Sequence, residues 1–460
     1  MTAPVSPRHI AVIDVGKTNA KLALVDAQTL TEIAVITRPN TVCAGPPYPH
    51  FDLDGHWAFF LDHLAAFHRS HGIDAISVTT HGAAAVLLDA HGALATPMLD
   101  YEHNGPDTVA AAYDAIRPEF ARTGSPRLPT GLNIGAQLFW LFDRDPDLLQ
   151  RTAHIVTYPQ YWGFRLTGAV ATDVTSLGCH TDLWCPQDAR FSDLVDRLGI
   201  REKLAPAQTS NTLLGTLTPE VCAATGLPAA TPVSCGIHDS NASLLPHLIK
   251  RTGPFSVVST GTWVVAMAAR TDPLPLDPAR DTLLNVSAFG APVPSARFMG
   301  GRAYDIIRGD TDAVPTAADR AAVVRRGIML LPAVVSQSGP FAGRTHRWTK
   351  APQTDGERLY ALALYLALMT QTCLDLIGAH GPTIIEGPFA RNADFLDMLA
   401  ALRPEGVQTE PSVTGTSIGA ALLFTHPQPR TTNATNVTPA HPEALRNYAA
   451  LWHTQIAQHP

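Results

Sequence analysis

Charge is scarce in this sequence: 16% of its 460 residues are Asp, Glu, Lys or Arg, and 33 basic against 40 acidic residues leave a formal net charge of −7. A nucleic-acid groove or a membrane-binding patch needs a concentration of positive charge that is missing here. The expected partner is therefore a small molecule, with no nucleic acid and no membrane. Cysteine is scarce too. Six residues (Cys43, Cys179, Cys185, Cys222, Cys235, Cys373) stand apart with no Cys-X-X-Cys pair, which argues against a disulfide framework or structural zinc and suits a reducing compartment. The longest apolar stretch, Leu359 to Met369, is about half of what a membrane span requires. Met1 to Arg8 lacks the apolar stretch of a secretory signal, so a cytoplasmic location is expected. The sequons at Asn433 and Asn436 then read as parts of a Pro/Thr/Asn-rich surface loop, Pro427 to Pro442.

What is present is mixed α/β order. Strands are expected at Ile10 to Ile13, Leu22 to Val25 and Ala75 to Thr79, with an amphipathic helix over Trp57 to Arg69. Further helices read at Leu138 to Phe142, Tyr158 to Leu166, Arg190 to Leu198 and Pro219 to Thr225, then a buried strand at Pro232 to Ile237. At Phe255 the pattern restarts, with strands Phe255 to Ser259 and Trp263 to Ala269. A long helix (Arg358 to Leu376), a buried strand (Thr383 to Glu386) and helices Asp394 to Leu402 and Glu443 to Gln455 follow. Each half thus opens with a β-hairpin around a Gly/Thr turn. The boundary reads at Leu245 to Arg251, giving domains 1–246 and 247–460 with a cleft between them.

The two turns are Asp14-Val15-Gly16-Lys17-Thr18-Asn19 and Ser259-Thr260-Gly261-Thr262-Trp263. Glycine lets main-chain N–H groups point inward, hydroxyls add donors, and Asp14 could hold a hydrated divalent cation against phosphate oxygens. Neither turn fits the P-loop or the dinucleotide-binding Gly-X-Gly-X-X-Gly signature. Asp239, in Gly236-Ile237-His238-Asp239-Ser240-Asn241, has two readings: an ordinary helix N-cap, or a carboxylate at a strand end that accepts a proton from an attacking hydroxyl. His238 beside it could bind a substrate hydroxyl or fill a wall. His81-Gly82 lies at a strand's carboxyl end, where open α/β sheets bind ligands, and Leu99-Asp100-Tyr101-Glu102-His103-Asn104 offers groups for a polyol. His50, Asp52, Asp54 and His56 are metal-ligand types without a recognised spacing and read as a solvated loop. Glu386 to Asn392 and Thr414 to Ala421 are rich in small residues, suited to tight helix packing or to a flat ligand such as adenine.

In this order, from about Ile10 to Phe424, the motifs resemble the FGGY carbohydrate kinases of the sugar kinase, Hsp70 and actin ATPase superfamily. The pairing of His238-Asp239 with Ser259 to Trp263 is most similar to the rhamnulose and fuculose kinases, whereas His81-Gly82 is closer to the xylulose kinases. The resemblance implies two actin-like (ribonuclease H-like) α/β domains and transfer of the γ-phosphoryl group of ATP, with Mg²⁺, to a sugar hydroxyl, a ketose being expected. It implies Asp239 as catalytic base and Asp14 as the magnesium-positioning residue. It further implies Gly16, Lys17, Thr18, Asn19, Lys21, Thr260, Gly261 and Thr262 around the phosphates, and Gly387, Asn392 and Gly415 at the adenosine. His81, Gly82, Tyr101 and His238 would bind the sugar. Two departures stand out: Lys17 replaces the usual Thr or Ser, where it would add charge against the phosphates, and Tyr101-Glu102-His103 replaces an Arg/Asp-bearing loop. The alternative is a regulator of the same fold without turnover. Self-association as a homodimer is left open.

Overall fold

The apolar run that opens the chain becomes the strand His9–Val15, buried along nearly its whole length, and returns through the Gly16 turn as Asn19–Asp26. In the computed structural model, which describes residues 7–410, 415–425 and 434–458, this hairpin is the middle of a seven-stranded sheet. The sheet runs in the order Leu213–Thr216, Pro232–Ser234, Ala75–Thr80, His9–Val15, Asn19–Asp26, Thr31–Pro39, and Ile237–His238 also pairs with Ala75–Thr80. Thr31–Pro39, at the edge, is largely exposed. The helix Leu53–His71 buries Leu53, His56, Phe60, Leu64 and Ala65, a spacing of three and four that puts one face on the sheet's core.

A second seven-stranded sheet follows the same plan. Phe255–Thr260 and Val264–Ala269 form its hairpin, and Thr383–Glu386 lies parallel to Phe255–Thr260, as Ala75–Thr80 does to His9–Val15. The helix Asp355–Leu376 is buried from Leu359 to Leu374. It is the one helix among the described residues long and apolar enough to cross a membrane, and 89% of its most apolar stretch is buried inside the protein.

The chain does not divide at one point. One compact unit takes Met1–Lys250, Leu284–Pro292 and Val413–Pro429, and the other Arg251–Leu283, Val293–Ser412 and Arg430–Pro460. The first change of unit, from Lys250 to Arg251, falls within the segment read as the boundary, at the end of the helix Asp239–Lys250. The small-residue helix Thr416–Ala421 belongs to the first unit: a Cβ on Gly419 would come within 1.8 Å of the Ala242 carbonyl oxygen, and the Ser77 hydroxyl donates to the Ala420 carbonyl at 2.8 Å. Close helix packing accounts for Gly419. Arg190–Phe191, expected to be helical, is a strand paired with Trp184–Cys185; Trp184 meets Phe191 edge-on at 5.4 Å, and the helix is confined to Leu194–Arg197. Within the expected Pro427 to Pro442 loop, Thr435–Asn436 pairs with Gln408 and Thr409, while Asn433 and residues 426–432, like Thr414, lie outside the described residues.

Two members of the cluster read as a solvated loop, Asp52 and His56, anchor the first turn, while Asp54 is exposed. Asp52 caps the helix Leu53–His71 by accepting the Gly55 N–H at 2.9 Å, and takes Arg38 Nη2 at 2.6 Å. His56 is 1% exposed; its Nδ1 accepts from Arg38 at 2.9 Å, so Nε2 carries the hydrogen donated to Asn40 Oδ1 at 2.8 Å. The Asn40 side chain then donates to the Gly16 carbonyl at 2.8 Å, and its backbone N–H to the Thr18 carbonyl at 2.9 Å. Burial, helped by the Arg38 charge, pushes the His56 imidazole down to about 4. His56→Leu should strand the buried Asn40 carbonyl oxygen and destabilise the protein by about 1–3 kcal/mol in urea unfolding at neutral pH. Because folded His56 resists protonation, wild-type stability should decline as pH falls from 6.5 towards about 4, and the variant should show less of that decline.

Candidate active site

Three parallel strands of the first unit end together. Asp14 and Val15 stand opposite Thr79 and Thr80 on one side, and Ile237 and His238 stand opposite the same two residues on the other. Their carboxyl ends carry the Gly16–Asn19 turn, His81-Gly82 and Asp239 to one edge of the sheet, the edge at which open α/β sheets bind ligands.

At the first turn, Asp14 is 8% exposed and its Oδ2 accepts the hydroxyls of Thr416 and, at 3.0 Å, Ser417. The Lys21 ammonium lies 3.2 Å from Asp14 and 3.2 Å from Glu32; burial pulls it down, but the two carboxylates outweigh burial and raise it. No group of three His, Cys, Asp or Glu side chains able to hold a metal exists among the described residues. A single carboxylate with one oxygen already engaged fits a magnesium ion that keeps most of its water and its phosphate ligands, not an all-protein site.

Lys17 is directed elsewhere than expected. Its ammonium is paired with Asp100, lies 3.2 Å from Glu102, and sits over the rings of Tyr101 (4.7 Å) and Phe51 (5.1 Å). Tyr101 is held by its carbonyl, which accepts the Gly131 N–H at 2.9 Å and the Thr130 hydroxyl at 3.0 Å. Burial and the Glu102, Asp239 and Asp100 carboxylates raise the Tyr101 phenol, which therefore stays a donor.

Asp239 opens the helix Asp239–Lys250, with its side chain 34% exposed and Oδ1 accepting the Ser240 N–H at 2.6 Å. His238 Nε2 is 3.2 Å from Asp239 Oδ1 and 3.8 Å from Cys179 Sγ. Burial pushes the His238 imidazole down, yet the Cys179 and Asp239 charges outweigh it and hold the ring protonated. Burial likewise pushes the Cys179 thiol up, while His180 and His238 pull it down to about 5. The main chain here is fixed by a buried relay: the His238 N–H donates to the Thr175 hydroxyl at 3.0 Å, which donates to Asp173 at 2.7 Å, and Asp173 also accepts from Ser210 at 2.7 Å. Gly82 makes room for the imidazole, since a Cβ there would come within 2.6 Å of His238 Nε2. His81 is 6% exposed; Nδ1 donates to the Gly82 carbonyl at 2.8 Å, leaving Nε2 as a buried acceptor with no partner. Burial holds this ring neutral, near 4.

In the second unit the Thr260 hydroxyl donates to the Glu386 carbonyl and accepts the Phe389 N–H at 3.1 Å, whereas Gly261, Thr262 and Trp263 are exposed. Gly387, at φ +82, packs on Thr260: a Cβ would lie 2.0 Å from that carbonyl oxygen. Asn392 caps the helix Ala393–Leu402 through the Phe395 N–H at 3.1 Å. Gly415, in the first unit, has open space where a Cβ would be. Nothing in the local sequence marks Cys179 or Asn40; only spatial neighbours give them roles, and neither sits in a recognisable spacing.

The family model described as "FGGY family of carbohydrate kinases, N-terminal domain" matches residues 9–246, and "Carbohydrate kinase FGGY, C-terminal domain" matches residues 252–433. An L-fuculokinase of Salmonella typhi is 27% identical over 272 residues, 56% of this chain and 56% of that protein, so the chain spans about half the length of the curated relatives it matches. A solved carbohydrate kinase from Novosphingobium aromaticivorans superposes with a TM-score of 0.89 at 37% identity, covering 97% of this chain and 99% of that one. A xylulose kinase from Rhodospirillum rubrum, at 22% identity and TM-score 0.75 over 98% of both chains, shares the fold.

The thiolate and imidazolium of Cys179 and His238 have a distinct titration signature. Thiolate ultraviolet absorbance should be present at neutral pH, disappear on acidification through about 5, and be missing in Cys179→Ser. Between 6.5 and 9.0, the ordinary values of the two groups, the pair should leave stability independent of pH. Below 6.5 the unfolded imidazole takes up a proton that the folded pair does not, and above 9.0 the unfolded thiol loses one that folded His238 retains, so stability should fall on both sides.

Proposed function

We propose that this chain, which belongs to the FGGY family of carbohydrate kinases, transfers the γ-phosphoryl group of MgATP to a hydroxyl of a ketose, with Asp239 as the base. The observation that carries this reading is the convergence of the first glycine turn, His81 and Asp239 at the carboxyl ends of three adjacent parallel strands. Asp239 is half-buried, with its side chain 34% exposed, so a substrate hydroxyl can reach it. Phosphoryl transfer asks little covalent chemistry of the protein; positioning and charge stabilisation do most of the work.

In this reading Asp239 accepts the hydroxyl proton as the oxygen attacks phosphorus, with His238 Nε2 held 3.2 Å from its Oδ1. The neutral His81 offers its partnerless Nε2 to a second sugar hydroxyl, and the Tyr101 phenol donates to a third oxygen. Gly82 acts on the sugar side indirectly, through the position of His238. For phosphate, the first unit offers N–H, hydroxyl and ammonium groups at Gly16, Thr18, Asn19 and Lys21, and the second, taken by itself, offers Thr260, Gly261 and Thr262. For adenosine, the second unit offers Gly387 and Asn392, and the first Gly415. Magnesium, positioned through water by Asp14, would spread the charge of the phosphates when bound.

A coupled ADP-release assay over L-fuculose, L-rhamnulose, D-xylulose and related polyols tests the reading. At least one should support turnover, and Asp239→Asn should reduce kcat with it by about 10²- to 10⁴-fold. ADP release that is independent of every sugar, no release at all, or a wild-type rate in Asp239→Asn would each overturn it.

A further inference from the structure

Two departures from the family pattern, Lys17 in the first turn and Tyr101-Glu102-His103 after Leu99, meet in space. The Lys17 ammonium is paired with Asp100, which is 6% exposed, and lies 3.2 Å from Glu102. The ammonium sits over the rings of Phe51 and Tyr101. Those two rings also pack against His81, at 5.2 Å and 5.1 Å between centroids, and His81 Nε2 is buried without a partner. The lysine and the free acceptor thus share one pair of aromatic walls.

We propose that Lys17 is a specificity-determining residue of the sugar subsite and not a phosphate ligand: with Asp100 and Glu102 it forms a charge-compensated wall that accepts a neutral polyhydroxylated sugar and rejects sugar acids. The location of the sugar rests on the kinase reading above. Turning Lys17 towards phosphate would leave the buried Asp100 carboxylate uncompensated, which is costly. An ammonium shared by two carboxylates presents donors and acceptors side by side, and a sugar hydroxyl can both donate and accept. A sugar carboxylate entering the same space would face Asp100 and Glu102, with the Lys17 charge already engaged. The aromatic faces of Phe51 and Tyr101 suit the C–H side of a sugar.

Calorimetry on the full chain tests this without turnover, using L-fuculose, L-rhamnulose and D-xylulose as neutral ketoses, D-gluconate as the sugar acid and a non-hydrolysable ATP analogue. At least one ketose should bind about tenfold or more tighter than gluconate; Lys17→Met should weaken that ketose by about tenfold while changing nucleotide affinity by less than about twofold. Lys17→Arg, which keeps the charge, should restore most of the ketose affinity. Gluconate binding as tightly as the best ketose overturns the assignment. So does a loss of nucleotide affinity in Lys17→Met with ketose affinity kept, or a failure of every ketose to bind. Ketose binding that depends on Lys17 without any ADP release sustains this assignment while sinking the kinase reading.

Discussion

The parallel register of three short strands governs everything else in the first unit. Thr79 and Thr80 are paired on both sides, with Asp14 and Val15 and with Ile237 and His238. Side chains alternate faces along a strand, so a slip of one residue in either pairing would turn Asp14 or His238 to the opposite face of the sheet. The pairing is enforced by burial: Ala75–Thr80 is buried at every position, and so are Ile10 to Val15. Chemistry at the edge is thus specified by packing in the middle.

The second unit reuses the plan with different emphasis. Its hairpin turn is exposed from Gly261 to Trp263, but the Thr260 hydroxyl is consumed in tying the hairpin to the neighbouring parallel strand. Gly387 and Gly301 then press on the backbone of that turn, where a Cβ would lie 2.0 Å from the Thr260 and 2.2 Å from the Gly261 carbonyl oxygens. The glycines around the turn serve its shape first. This pattern, two actin-like α/β sheets each led by a glycine-turn hairpin, is the fold of the FGGY sugar kinases.

Much of this was legible in the sequence because its signals are local. The hairpins at Ile10 and Phe255, the strand ending at Thr80, the helix opened by Asp239 and the long buried helix before Leu376 all announce themselves by apolar runs broken by Gly, Asp or His. What was not legible depends on residues distant in the chain. His56 read as part of a solvated loop, although it is buried and steadies Gly16 through Asn40; nothing in its neighbours' spacing signals that contact. Cys179 has nothing local to mark it and gains a partner only in space, 3.8 Å from His238, and the Asp100 that pairs with Lys17 lies 83 residues further along the chain. The segment holding Thr416 and Ser417 suggests helix packing or a flat ligand but not a contact with Asp14, which lies about four hundred residues away.

That last separation has a consequence for how the molecule is made. The hydroxyls that complete the surroundings of Asp14, and the Gly419 that seats the Asp239 helix, leave the ribosome 402 to 405 residues after it, for Thr416 to Gly419 counted from Asp14. At about 5–20 residues per second, the interval is roughly 20 to 80 seconds. Through that time the early sheet can form while its ligand edge remains unfinished. The nascent first unit therefore cannot reach its completed site before most of the second unit, up to Ser412, has been synthesised, and a fragment released at residue 250 would hold the strands of the first sheet while lacking the partners of its own first carboxylate.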